Sequence, residues 1–592
     1  MKQFLITIAG VFVGLLLFMI GVPILLLATV ALATRPAPLA AHNVLVLDLR
    51  EGLTDQEAPV GLRLFSPASQ SVIGIEEALH RAQGDAQVGG LLVRLPEGGM
   101  PPAAADELRG AFKRFRAAGK PILVFSQGLY ADGMVPSTYE LAAASGDMWM
   151  QPSASFQVTG LARQDVFFKR FFDQHGVKAD YQQRYEFKNA VNPYLYDDYT
   201  PAHRESELGW MGSVYQTVLN SVAADRALPE AELKARLEAG PYDAEDAKAK
   251  GLIDQVGDLT DAQKAILAKA GSGARLTPFQ SYADERSSNF DLTGGTVAVI
   301  GAEGAIMTGR GAAPSPLGGG ETIYSDNVAK AFNAAIDDKA VKAIVFRVSS
   351  PGGSDTASEQ ILSAVRAAKA AGKPVVISMG TYGASGGYWI SSQASEIVAQ
   401  PSTLTGSIGV FGGKFALGDA LGKFGVDMRG LKVGGDFADA YASAGPMSPG
   451  QRAAFAAMID HIYDGFISRV AAGRKLPPAR VRDIAKGRVW TGEQAKSLGL
   501  VDSLGGFYDA VDRAKALAGI KGKARLQTFG EEPSPFEALR DMVGATARVM
   551  GLAARVDGAA DASPAARAIL GEATDAGLRE RGATVLAPRV GW

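Results

Sequence analysis

The chain has 592 residues, a formal net charge of −2 and no cysteine. This length predicts two or more domains, each able to bury its own core. The balanced charge, without any cluster of Lys and Arg, argues against nucleic-acid binding. The absence of cysteine excludes thiol nucleophiles, disulfides, zinc–thiolate sites and iron–sulfur clusters. The five histidines do not fall at metal-ligand spacing, so we predict no metal and no cofactor.

The amino-terminal segment is apolar and free of charge from Phe4 to Thr34. This run is longer than the roughly 20 residues that cross a bilayer. The apolar region of a cleaved secretion signal is usually shorter, about 7–15 residues, although Ala31-Leu32-Ala33 resembles a cleavage site. We therefore predict an uncleaved transmembrane anchor with its amino terminus inside, and a cleaved signal is the alternative.

Beyond the anchor, strand-like apolar runs such as Asn43–Asp48 and Leu91–Leu95 alternate with helical stretches rich in Ala, Lys and Arg. Several of these segments occur twice. The matched pairs are Val88–Leu95 with Val341–Val348, Gly119–Phe125 with Gly372–Ser378, Gln151–Ser153 with Gln400–Ser402, and Asp246–Asp254 with Gln494–Asp502. So long a period indicates a duplicated domain and not a solenoid.

The duplication and the composition together predict the domain boundaries. The polar, Ser- and Asp-rich composition near residue 285 marks the linker between the copies. We predict an anchor and spacer at 1–42, a first repeat at 43–279, a linker at 280–295, a second repeat at 296–529 and a carboxy-terminal extension at 530–592.

The stretch Tyr382–Ser392, with the sequence YGASGGYWISS, indicates a candidate catalytic serine. A strand-like run, Pro374–Met379, precedes it and an apolar stretch follows it. This pattern predicts a strand, a tight turn and a buried helix, with Ser385 at or near the helix start. Small residues allow close backbone approach there, and free N–H groups at a helix start favour a developing anion. A serine that merely caps the helix is the alternative.

A serine nucleophile needs a partner that takes its proton near neutral pH. Without cysteine, and with few histidines, a buried lysine is the best candidate, because burial lowers the lysine pKa from its ordinary value of about 10.4. Lys188 is a lone lysine in an aromatic and apolar stretch of the first repeat, and the second repeat has Ala438 there instead. Conversely, the first repeat has Asp132 where the second has Ser385. The serine and the lysine therefore lie in different repeats, as expected when each copy of a duplicated site loses one half.

An oxyanion hole is the third requirement of such a site. The turn Pro351–Gly353 can present one backbone N–H group, and Gly386 can supply a second. Each of these features alone is commonly structural, so it is their combination that indicates an enzyme.

Four motifs carry a resemblance to a known family: RVSSPGGSDTAS (347–358), YGASGGYWIS (382–391), TLTGSIGVFG (403–412) and FKNAVNPY (187–194). With them, the chain resembles the long, duplicated form of the signal peptide peptidase A family, membrane-bound Ser/Lys proteases of bacteria. The resemblance implies that Ser385 is the nucleophile and Lys188 the general base. It also implies that the amides of Gly353 and Gly386 form the oxyanion hole, and that the Ser407 hydroxyl orients the lysine.

The resemblance also implies a fold, a substrate and a location. The expected fold is α/β, with tandem Clp protease/crotonase-like β-β-α domains after an amino-terminal transmembrane helix. The expected substrates are cleaved, hydrophobic signal peptides, which could pair with a strand edge near 406–413. The expected assembly is a homotetramer on the outer, periplasmic face of the bacterial cytoplasmic membrane.

Two other functions are compatible with parts of the pattern. A crotonase-type acyl-CoA hydrolase or hydratase would share the oxyanion geometry, but it gives Ser385 and Lys188 no role. A catalytically inactive membrane scaffold would explain a duplicated fold with half-lost sites, but the intact serine–lysine pair counts against it.

Overall fold

The computed structural model describes residues 39–56, 70–286, 295–311, 322–530 and 584–586. The predicted anchor, Phe4–Thr34, and most of the predicted extension at 530–592 lie outside the described residues. Within the part that is described, no helix is both long and apolar enough to cross a membrane.

The strands are β1 Asn43–Asp48, β2 Leu53–Thr54, β3 Gln70–Ser71, β4 Val88–Arg94, β5 Ile122–Ser126, β6 Met148–Met150, β7 Ser155–Phe156, β8 Lys178–Arg184, β9 Tyr242–Asp243, β10 Gln255–Val256, β11 Arg275–Pro278, β12 Thr296–Glu303, β13 Ala305–Met307, β14 Thr322–Tyr324, β15 Val341–Ser350, β16 Gly352–Ser354, β17 Val375–Ala384, β18 Glu396–Ala399, β19 Leu404–Gly406, β20 Val410–Ala416, β21 Val489–Thr491, β22 Ser503–Leu504, β23 Arg525–Phe529 and β24 Thr584–Leu586.

The helices are α1 Val72–Gly84, α2 Pro102–Ala117, α3 Val135–Ala143, α4 Lys169–His175, α5 Asn192–Leu195, α6 Pro201–Arg226, α7 Glu230–Glu238, α8 Ala244–Ala249, α9 Leu259–Ala270, α10 Phe279–Arg286, α11 Ser325–Asp337, α12 Asp355–Ala370, α13 Gly386–Ser391, α14 Gly418–Gly422, α15 Pro449–Arg474, α16 Pro478–Ile484, α17 Gly492–Ser497 and α18 Phe507–Leu517.

The first half of the chain builds a parallel sheet in the order β10-β6-β5-β4-β1-β11. Its central strands are continuous apolar runs, as expected for a parallel sheet that helices cover on both faces. One face packs with α1, α2 and α3, and the other packs with α9. Tyr282, which the sequence analysis assigns to the linker, is fully buried in the first of these cores. The first core therefore extends into α10.

The second half repeats this plan with the order β21-β19-β17-β15-β12-β23, extended by β18 and β22. All pairs in this path are parallel except β19 with β21. Apolar side chains on its two faces form two cores, one with α11, α12 and α15 and the other with α18. Mixed α/β structure and two similar halves are thus observed, as the sequence predicts.

A third sheet joins the two halves. Its order is β14-β13-β16-β24-β20-β8. Its six strands come from both halves of the chain, and β8, from the first half, pairs antiparallel with β20, from the second. The short β24 lies between β16 and β20 and runs antiparallel to both. This sheet contains β16, which carries Gly353, and β8, which precedes Lys188, so it positions two parts of the site.

Buried ionic contacts also join the halves. The Arg347 guanidinium on β15 donates to the carboxylates of Asp55 and Glu107, both from the first half. The neighbouring Asp106 accepts a hydrogen bond of 2.9 Å from the Ser402 N–H group. Both partners of each contact are buried, so the two halves pack as one body around these groups.

Candidate active site

Ser385 lies at the junction of β17 and α13, as the strand–turn–helix pattern predicts. Its φ is 57° and its ψ is −117°, a backbone conformation that costs a non-glycine residue about 1–3 kcal/mol. Its N–H group donates to the Gly406 carbonyl at 2.9 Å, and its carbonyl accepts from the Trp389 N–H group at 2.8 Å. These two hydrogen bonds hold the sharp turn that carries the serine.

Lys188 is fully buried, and its Nζ lies 2.8 Å from the Ser385 Oγ. The same Nζ donates to the Ser407 carbonyl and hydroxyl oxygens, each at 3.0 Å. Burial lowers the pKa of Lys188 well below its ordinary value. The three residues that the sequence analysis assigns to the dyad and its orienting hydroxyl are therefore in direct contact, although they come from both halves of the chain.

A turn near residue 487 brings Lys188 and Ser407 together. The Tyr185 and Phe187 N–H groups donate to the Lys486 carbonyl, and the Ser407 hydroxyl donates to the Gly487 carbonyl at 3.3 Å. A β carbon on Gly487 would lie 2.6 Å from the Lys188 nitrogen, and its φ of 83° also requires glycine. The sequence analysis missed this turn, since a lone glycine between Lys486 and Arg488 gives little signal.

The predicted oxyanion-hole glycines are also brought together. A β carbon on Gly386 would lie 2.9 Å from the Gly353 nitrogen, and one on Gly353 would lie 2.0 Å from the Ile306 carbonyl oxygen. Only glycine allows the turn before β16 to approach the start of α13 so closely. The Gly353 amide therefore lies close to Gly386, the residue that follows Ser385.

The first half lacks a second copy of this site. Tyr139 and Tyr388 make equivalent hydrogen bonds, from the phenol to the carbonyls of Leu252 and Leu500, at 2.7 and 2.8 Å. This equivalence places Pro136, and not Asp132 as predicted, at the position of Ser385. Proline has no side-chain nucleophile, so the first half cannot repeat the chemistry of the second.

A serine hydroxyl in contact with a buried amine of lowered pKa, beside two close backbone amides, can perform nucleophilic attack on a carbonyl carbon. Within the described ranges, no group of three or more His, Cys, Asp or Glu side chains could hold a metal ion. The fold and the site together indicate the class of serine hydrolases.

Comparison with known proteins identifies the family. The model of peptidase family S49 matches residues 114–272 and 367–521, once in each half. Protease 4 of Salmonella typhi is 35% identical over 86% of this chain and 84% of its own length. Protease 4 of Haemophilus influenzae is 32% identical over 79% of this chain and 76% of its own length. The chloroplastic serine protease SPPA of Arabidopsis thaliana is 26% identical over 88% of this chain and 76% of its own length. The chain belongs to peptidase family S49 and is a serine protease.

Among solved structures, the 1510-N membrane-bound stomatin-specific protease aligns with 40% of this chain and 100% of its own at 15% identity, with a TM-score of 0.26. The finer assignment to Clp protease/crotonase-like domains stays a prediction.

Proposed function

We propose that this protein is a Ser/Lys endopeptidase that cleaves extended apolar peptides, among them released signal peptides. The observation that carries the proposal is the buried 2.8 Å contact between the Lys188 Nζ and the Ser385 Oγ. The substrate class is supported by a relative named putative signal peptide peptidase SppA, from Enterococcus faecium, which is 34% identical over 30% of this chain. Membership of a peptidase family argues against the acyl-CoA and scaffold alternatives.

In the proposed mechanism, neutral Lys188 accepts the hydroxyl proton of Ser385 while Oγ attacks the carbonyl carbon of the scissile bond. The N–H groups of Gly353 and Gly386 stabilise the resulting oxyanion. The Lys188 ammonium then donates its proton to the departing amine nitrogen, which leaves an acyl-enzyme on Ser385. Water, deprotonated by Lys188, hydrolyses this ester and restores both residues. Ser407 accepts hydrogen bonds from Nζ and so keeps the amine directed at Ser385.

The position between β16 and β20 suits an extended peptide. The backbone of β24 lies there between β16 and β20, with Val585 opposite Gly353 and Thr584 opposite Phe411. A peptide in this position gains main-chain hydrogen bonds from strand pairing and needs no folded shape.

The charge-free run Phe4–Thr34 supports a location on the bacterial cytoplasmic membrane, with the two repeats on its outer face. In this position the enzyme would meet the apolar peptides that remain in the membrane after secreted proteins are released. The predicted domain boundaries, 43–279 and 296–529, belong to the same proposal.

The mechanism predicts where, and at which pH, a covalent inhibitor reacts. A fluorophosphonate should label Ser385 in the full chain, and the labelling rate should rise with pH as one proton leaves Lys188. Below its folded-state pKa, Lys188 is an ammonium group and cannot accept the serine proton. Because burial lowers that pKa, the labelling rate should rise at a pH well below the ordinary lysine pKa of about 10.4. Mass spectrometry of labelled peptides and rates from about pH 5 to 10 provide the measurement. Labelling of another serine, or a flat pH profile, would contradict the mechanism.

The position of β24 predicts competition between the chain's own carboxy-terminal segment and substrate. Val585→Pro removes a backbone N–H group and should weaken strand pairing at this position. We expect KM for an apolar peptide to fall by at least about twofold with little change in kcat, because a tethered competitor acts at a high effective concentration. Ala559→Pro, in the same extension, is the matched control. An unchanged KM in the Val585 variant would show that β24 does not occupy the substrate position.

A further inference from the structure

Arg488 follows the turn that contacts the lysine of the site. The residue before it is Gly487, whose missing side chain allows Lys188 to approach. The Arg488 carbonyl accepts a hydrogen bond of 2.8 Å from the Ser407 N–H group, and Ser407 accepts two hydrogen bonds from the Lys188 Nζ. The backbone of Arg488 therefore fixes the residue that directs the lysine amine.

The side chain of Arg488 contacts two aromatic rings and a carboxylate. Its guanidinium carbon lies 4.8 Å from the ring centre of Phe187 and 4.6 Å from that of Trp490. One guanidinium nitrogen donates to the Glu205 carboxylate, from the first half of the chain, at 2.5 Å. A planar guanidinium can stack on aromatic rings and pair with a carboxylate at the same time. Arg488 therefore ties Phe187, the residue before Lys188, to both halves of the chain.

Burial increases steeply along the segment that leads to the lysine. Tyr185 is 44% exposed and Glu186 is also exposed, whereas Phe187 is half-buried and Lys188 is fully buried. The Arg488 side chain is 22% exposed. Phe187 and Arg488 therefore form the boundary between the exposed part of this segment and the buried amine.

The lowered pKa of Lys188 has burial as its cause. The charged side chains of the segments around it form ion pairs, which are Glu186 with Lys486, Arg184 with Asp460, Arg482 with Asp464, and Arg488 with Glu205. The nearby phenols of Tyr185 and Tyr463 contact each other edge to face. Exclusion of water, and not a neighbouring charge, therefore keeps the amine neutral.

We propose that Arg488 is a positioning residue, which holds Phe187 in place and so excludes water from the Lys188 amine. This inference rests on the proposed Ser/Lys mechanism, because water exclusion matters only if the amine must be neutral. Removal of the guanidinium would leave Phe187 without its partner and admit water to the lysine. A hydrated amine holds its proton more tightly, so Lys188 would become neutral only at a higher pH.

Arg488→Ala should therefore move the pH dependence of fluorophosphonate labelling at Ser385 to higher pH. We expect the midpoint to lie about one pH unit above that of the wild type. Below both midpoints the labelling rate should fall about tenfold, and above both it should return to within about twofold of the wild-type rate. Rates from about pH 5 to 10, measured on the full chain in detergent, give this comparison. A purely structural role would lower the rate by the same factor at every pH.

Two further variants separate water exclusion from a loss of folding. Phe187→Leu removes the ring but keeps Arg488 and its ion pair, so the midpoint should rise in this variant too. Arg513→Ala is the matched control, because Arg513 pairs with Glu396 at 2.6 Å but lies on α18, which packs on the other face of the second sheet. Its midpoint should equal that of the wild type. Thermal unfolding shows whether each variant is folded.

The outcomes distinguish this inference from the mechanism on which it rests. An unchanged midpoint in folded Arg488→Ala overturns the role of Arg488, and Phe187→Leu decides in the same way if the first variant does not fold. An equal rise in the Arg513→Ala control also overturns it. Labelling of Lys188→Ala at the wild-type rate would instead overturn the proposed Ser/Lys mechanism, and the role of Arg488 would be lost with it.

Discussion

Ser385→Ala and Lys188→Ala should each lower kcat for an apolar peptide by about 10⁴-fold or more while the chain stays folded. The serine supplies the attacking oxygen, and Lys188 supplies the amine that contacts it. Because the two residues act as a unit, the double variant should cost no more than the more damaging single variant. Lys188→Arg should also fail, since a guanidinium stays charged and cannot accept a proton. Initial rates of peptide hydrolysis and thermal unfolding of each variant provide the measurement.

Two other lysines of the second repeat serve as controls for the identity of the base. Lys432 is partly exposed and pairs with Asp436 and Asp439, so Lys432→Ala should keep nearly full activity. The Lys414 Nζ donates to the Ala442 carbonyl at 2.7 Å and has no contact with the serine. If the Lys188→Ala variant stayed active and then lost its activity when Lys414 or Lys432 was also removed, that second lysine would be the base.

Much of the site could be predicted because most of its residues lie in short local sequence motifs. Ser385 lies in a small-residue turn between a strand and an apolar run, a pattern that predicts a serine at the start of a buried helix. The lysine was harder, since it lies in the other half of the chain and only the comparison of the two repeats singled it out. The misplaced equivalence of Ser385 with Asp132 shows the limit of this comparison, because insertions shift the offset and only the matched hydrogen bonds of Tyr139 and Tyr388 correct it.

The parallel sheets could likewise be predicted from apolar runs such as Asn43–Asp48, which forms β1 over the same residues. The contacts between the two halves could not be predicted in this way. Gly487 allows Lys188 to approach because it has no side chain. No sequence pattern around Gly487 indicates that role. Arg347 lies in a strand that resembles its counterpart in the first repeat, and nothing local indicates that its partners lie more than two hundred residues earlier.

Arg347 should therefore matter most for the stability of the joined halves. Its side chain is 1% exposed, and it donates to Asp55, Glu107 and the Ser378 hydroxyl. Arg347→Met would leave two buried carboxylates without their cation, and breaking a buried pair in this way costs about 3–5 kcal/mol. We expect the unfolding temperature of the full chain to fall by about 3–5 °C. Differential scanning calorimetry of the purified chain measures this change.

The duplicated chain provides a matched control for this experiment. Arg94 occupies the equivalent position on β4, but its side chain is 22% exposed and lies 3.6 Å from Asp48. Arg94→Met should therefore cost less than about 1 kcal/mol. Adding Asp55→Asn and Glu107→Gln to Arg347→Met removes both unpaired charges. The new amide at position 107 keeps an oxygen that can accept from the Phe507 N–H group. The triple variant should therefore recover part of the lost stability. Equal losses from the Arg94 and Arg347 variants, or no recovery on neutralising the carboxylates, would show that the buried charges do not hold the halves together.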